Sequence, residues 1–192
     1  MKPEFANIAQ NFNLSADQLF NKVQQFCENA ISVIDEEKRV KLLKVGKKLF
    51  NTLEILEDAL KKEYLNEIND TIKDGQNSAT FLCNGFIELM QAAYYAKQAV
   101  GQANILLSAK DLTNQHRKQI KSEISANLKK VKEHGAKGIS LIIEGVSLAA
   151  KTIDKVKNLA TNISGLFNAI STVSFSLDHV KESKPKTKAH PK

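Results

Sequence analysis

The chain has 192 residues, enough for one domain whose core needs no disulfide staples. Its 42% apolar and 26% charged content are those of an ordinary soluble globular protein, and the formal net charge is +7. Aromatics at 6%, no tryptophan and three prolines argue against a sheet-rich fold, while the abundance of Ala, Leu, Ile, Lys, Glu, Gln and Asn predicts an all-α one.

Residues 1–14 read as a lead-in. Ser15 then has the character of an N-cap, with Gln18 in capping-box position. The helix it opens is predicted to run to about Ile34 through Leu19, Val23, Phe26, Ala30 and Val33. Asp35 offers a second cap ahead of Glu36 and Glu37, whose charges suit a helix N-terminus. The helix that follows is predicted to reach about Lys73. Leu42, Leu49, Leu53, Leu56, Leu60, Tyr64, Ile68 and Ile72 lie on one side, and Lys and Glu crowd the other. This is the pattern of an outer helix with one wetted face.

Asp74-Gly75 is the clearest turn signal in the chain. Beyond it, Leu82, Phe86, Leu89, Ala93, Ala96, Val100, Ala103 and Leu107 step by four and three, and only Glu88 and Lys97 are charged before Lys110. A helix so poor in charge is covered on most sides, and it is expected at the centre. Asp111 or Thr113 can cap the next helix, which carries Ile120, Ile124, Leu128 and Val131. Gly135 and Gly138 interrupt it without a phase jump or an accompanying Asn, Asp or Pro, which favours a continuous or kinked helix over a hairpin.

From Ile142 the apolar stations Val146, Ala149, Ile153, Val156, Ala160, Ile163, Phe167, Ile170, Ser174 and Leu177 continue at heptad spacing. As one helix ending near Val180 they would make a rod of roughly 50 Å. The remaining residues, 181–192, hold five lysines and two prolines and are expected to be a disordered basic tail. The predicted architecture is an elongated antiparallel bundle of four to five long helices with coiled-coil-like packing, occupying 15–180.

Charge is uneven along the chain. Residues 1–74 carry 11 basic and 13 acidic side chains, whereas 75–192 carry 17 and 8. The basic excess centres on a candidate face formed by Arg117, Lys118, Lys121, Lys129, Lys130 and Lys132. Such a face could be a footprint for anionic lipid or nucleic acid, or a solvated helix face complemented by the acidic first half of the chain. Nucleic acid is disfavoured, because Arg39 and Arg117 are the only arginines and no aromatics interleave with the lysines.

The second candidate surface lies in the C-terminal stripe. No charged residue occurs between Lys157 and Asp178, and Leu159, Leu166 and Val173 widen the apolar face beside Phe167 and Ile170. These five residues could pack inside the bundle, receive a protein partner or second copy, or enter a bilayer.

No chemistry-bearing motif accompanies them. The glycines are scattered singly, and no Glu-x-x-His pair occurs. His116, His134, His179 and His190 have no ligand partner at helical spacing. No catalytic residue, cofactor site or metal site is assigned, and the chain is expected not to be an enzyme. Cys27 and Cys83 sit on apolar sides and read as inert core thiols, with a single disulfide or a reactive thiol as alternatives.

The N-terminus opens no apolar signal region, and no stretch is long and apolar enough for a conventional transmembrane helix. The expected location is the cytoplasm where the protein is made, with export lacking a cleaved signal as the alternative. The leading expectation is a non-enzymatic interaction protein acting through its long C-terminal helix and basic surface, on a protein partner or a second copy of itself. In helix length and in having one weakly charged helix, the chain also resembles the tall helical pore-forming toxins, which would make it membrane-active. The basic tail is similar in kind to C-terminal tails read by some bacterial secretion machines, as in a secreted effector.

Overall fold

Four long helices follow one another in the computed structural model, which describes residues 3–63, 77–109, 111–148 and 161–170. They are α1 (Pro3–Ser32), α2 (Glu36–Glu63), α3 (Asn77–Ser108) and α4 (Asn114–Leu148). Residues 161–170 are also helical. Among the described residues there is no strand, so the fold is an all-α bundle.

The caps follow local chemistry. The Lys38 N–H donates to Asp35 Oδ1 at 2.9 Å, and the Arg39 N–H bonds the Asp35 carbonyl, so Asp35 opens α2. At α4 the cap is Thr113, whose Oγ1 accepts from the His116 N–H at 3.2 Å. Helix α1 departs from expectation. It begins at Pro3, and Ser15 lies well inside it, its hydroxyl donating to the Asn11 carbonyl four residues back. Residues 3–14 are therefore the first turns of α1 and contribute Ala9 and Phe12 to the core, not a lead-in. The serine that looked like a cap satisfies its hydroxyl within the helix, which removes the need for a break.

Neighbouring helices run antiparallel. Phe50 of α2 lies against Gly101 of α3, Lys97 of α3 reaches Glu57 of α2, and Gln102 and Glu88 of α3 meet Glu123 and His134 of α4. Helix α3 is central as its charge poverty predicts, with Leu89, Ala92, Ala93, Ala96, Ala99, Val100 and Ala103 fully buried. Its small residues let α2 and α4 approach on two sides. Gly135 and Gly138 lie within α4 and are buried, so the helix is continuous there.

The stripe from Ile142 onward is not one straight rod. Phe20 of α1 sits against Gly135, where a Cβ would come within 2.7 Å of its ring, and the same ring lies 6.0 Å centre to centre from Phe167. On a single helix residues 135 and 167 would be about 48 Å apart. The 161–170 segment therefore lies off the extension of α4 and packs beside α1. There Ser164 Oγ is 3.3 Å from Ser15 Oγ, and the Phe167 ring meets Phe12 edge-on at 5.7 Å. Heptad spacing alone does not separate these arrangements, because a periodic apolar pattern carries phase but not direction.

Candidate functional site

The six basic residues lie near the start and middle of α4, but they are not one surface. At 100° per residue, Lys118, Lys121, Lys129 and Lys132 fall on one side of the helix, and all four are exposed. Lys129 approaches Glu133 at 3.8 Å with both side chains mostly in solvent, a pair of small energetic value. Lys118, Lys121 and Lys132 form no ion pair with a described residue. Arg117 is half-buried at the edge of this side, its Nε donating to the Leu112 carbonyl. Lys130 turns towards α3, where its ammonium stands 4.5 Å from the centre of the Tyr95 ring.

The apolar candidates fare differently. Phe167 and Ile170 are buried among the core residues, and Leu166 is half-buried against them. Of the three arrangements the sequence allows for these residues, this structure has them packed inside the bundle, with Phe12 and Phe20 of α1 as neighbours for the Phe167 ring. Burying a phenylalanine there is worth roughly 2–3 kcal/mol relative to leaving it in water. Leu159 and Val173 lie outside the described residues.

Two polar clusters between helices are invisible to local spacing. In the first, Glu57 of α2 is buried and bound by Lys97 of α3 at 2.7 Å and by Lys61 at 3.0 Å. Burial pushes its carboxyl up, but the hydrogen bonds and charges of Lys97 and Lys61 outweigh this and hold it below the usual carboxylate range. Lys97 is raised in turn, chiefly by its hydrogen bond to Glu57. The second cluster joins α3 to α4. Glu88 Oε2 lies 2.7 Å from His134 Nδ1, and Oε1 lies 2.6 Å from Lys137 Nζ. Burial again opposes ionisation, and Lys137 and His134 again win, so the Glu88 carboxyl is held low. The His134 ring stacks on Tyr95 at 5.5 Å.

These are the two charges that the sequence sets alone in α3, and each is matched from a neighbouring helix. Both carboxylates are held ionised by lysine, opposite to the raised carboxyl that general acid catalysis requires. Among the described residues no group of three or more His, Cys, Asp or Glu could hold a metal ion, and no helix is long and apolar enough to cross a membrane. Cys27 and Cys83 are free and buried. Burial raises both thiols, with Glu28 adding to the effect at Cys27, which is pushed up to about 12.

No family model matches the chain, and no curated protein or solved structure is significantly similar to it.

Proposed function

We propose that this is a non-enzymatic binding protein that offers the lysine side of α4 to an acidic protein surface. The observation that carries the reading is the alignment of Lys118, Lys121, Lys129 and Lys132 along one exposed side, where among the described residues only Lys129 comes within 4 Å of a carboxylate and Lys132 shares a groove with Asp17. Unpaired charges of one sign raise the encounter rate with an oppositely charged partner and repel wrong ones. Two copies meeting symmetrically through this side would set lysine against lysine, which favours an unlike partner over self-association.

The test is retention on a phosphate-bearing matrix as salt is raised. Replacing Lys118, Lys129 and Lys132 by Glu should move elution to clearly lower salt while the helical circular dichroism stays the same. Unchanged retention would reduce this side of α4 to a solvated surface.

A second reading, membrane activity, draws on the 161–170 segment. It has no charged residue, buries the apolar Ile163, Phe167 and Ile170, and touches α1 through Phe167, so its release would free an apolar helix face. Dye release from anionic vesicles would support this reading. Neither leakage nor co-sedimentation at low salt would exclude it.

A further inference from the structure

The chain contains 26 lysines and two arginines, and the two arginines share one cleft. Arg39 of α2 and Arg117 of α4, 78 positions apart, line one cleft of about 410 Å³ together with Lys121. The cleft lies at the end of the bundle where the α1–α2 turn faces the α3–α4 turn. Its remaining wall is Ala30, Ile31, Ser32, Val33, Ile34 and Leu106. The wall thus has three cations, no carboxylate and an apolar half.

Both guanidinium groups are oriented by the backbone. Arg39 Nε donates to the Leu107 carbonyl at 2.6 Å, and Arg117 Nε donates to the Leu112 carbonyl at 3.3 Å. Tying down Nε fixes the plane of each group and leaves the terminal nitrogens to bind. One of them, Arg39 Nη1, lies 3.4 Å from Glu36 Oε2, a carboxylate that is mostly in solvent and outside the wall. Asp35, with Lys38, lines the adjoining groove on the far side of Ile34. Arg117 makes no ion pair with a described residue. A helix-end carbonyl needs only one donor, and lysine supplies it as well as arginine does. Two backbone-anchored forks lining one cavity suit a planar or tetrahedral oxyanion, which lysine binds only as a point charge.

We propose that this cleft binds a phosphate monoester with an apolar body, the phosphate held by Arg39, Arg117 and Lys121 and the apolar part lying on Ile31, Val33 and Leu106. Ile34 stands at the rim with 99% of its surface exposed, so the cleft opens beside an apolar tip. The same chemistry is presented by a soluble aryl or alkyl phosphate and by the headgroup of phosphatidic acid. The site is separate from the lysine side of α4, apart from Lys121, and Arg39 belongs to another helix.

The experiment titrates the full chain with phenyl phosphate and with inorganic phosphate, following the arginine Nε–H resonances. A parallel arm measures co-sedimentation with vesicles of phosphatidylcholine alone or with added phosphatidic acid. The expected result is a saturable shift of both Nε–H signals, tighter for phenyl phosphate than for phosphate, or capture by phosphatidic acid vesicles only. Either arm supports the site and names the source of its phosphate. Arg117→Lys keeps the charge and loses the fork, and should weaken binding roughly tenfold. Arg39→Lys should do the same, and Arg117→Lys decides the matter if Arg39→Lys disturbs the end of α3. Binding by neither probe, or equal binding by wild type and Arg117→Lys, overturns the proposal. Replacing Lys118, Lys129 and Lys132 should leave phenyl phosphate affinity nearly unchanged, which separates this site from the function proposed above.

Discussion

Gly85 of α3 and Gly138 of α4 meet with no side chain between them. A Cβ on Gly138 would lie 2.9 Å from the Gly85 carbonyl oxygen, and a Cβ on Gly85 would lie 3.1 Å from the Gly138 carbonyl oxygen. Ile142 crowds Gly85 and Leu89 crowds Gly138 as well, but the backbone obstacle on each side cannot rotate away. This contact sets the α3–α4 separation, and with it the position of the α4 lysines.

Gly138→Ala is therefore expected to lower stability by about 1–2 kcal/mol, because overpacking outweighs the gain in helix propensity. The control is Gly165→Ala, where nothing lies within 4 Å and propensity alone acts. That variant should be neutral or up to about 1 kcal/mol more stable. Urea midpoints of the two variants check the pair, and the opposite order would contradict the packing.

Glu57 and Glu88 give the bundle an acid limit. Each has a carboxyl held below its ordinary value, so its contribution is present above the usual carboxylate range and lost as pH falls through the lowered value. The melting temperature should fall steeply below about pH 4.5. Lys97, held high, contributes below the ordinary lysine range and loses that contribution as pH rises through its raised value. Glu57→Gln should cost about 2 kcal/mol at neutral pH, since the nearly buried Lys97 is left with only the Glu54 carboxylate at 3.9 Å, and it should flatten the acid limb. An acid limb as steep as that of the wild type would contradict the assignment.

Cys27 and Cys83 should be silent to a thiol reagent at pH 8 in the folded protein and should both react once it is unfolded. Burial removes access, and a thiol pushed up to about 12 at Cys27 removes the thiolate. Rapid native labelling of Cys27 would show that α1 opens locally.

Much of this architecture was legible in the sequence. Asp35 has the sequence character of a cap and is one, the lack of charge in α3 marks the central helix, and the unbroken apolar phase through Gly135 and Gly138 predicts the continuous or kinked helix that contains them. Ser15 misled because a serine can serve as an N-cap or bond its own helix backbone, and only the chain before it decides. The fold-back of 161–170 was hidden because a periodic pattern carries phase but not direction. Pairings such as Glu88 with His134, or Arg39 beside Arg117, join residues 46 and 78 positions apart, and local spacing holds no trace of them. The one available signal was compositional: two lone charges in an apolar helix, and two arginines among many lysines.

Phe167→Ala would remove the ring that meets both Phe12 and Phe20, and it should cost about 3 kcal/mol by truncation at a buried site. The loss should appear with earlier proteolysis near 161–170. A variant as stable and as resistant as the wild type would mean that the segment adds nothing to the core.

With 161–170 covered by α1, the lysine side of α4 is the candidate surface that stays exposed. Spin labels at Ala136 and Gly165, both exposed, measure the position of the segment directly. With 161–170 packed beside α1, next to the same Phe20 that meets Gly135, the label separation should be below about 25 Å, since one continuous helix would place these residues about 44 Å apart. A distribution centred near 44 Å would contradict the fold-back and return Phe167 and Ile170 to an exposed rod.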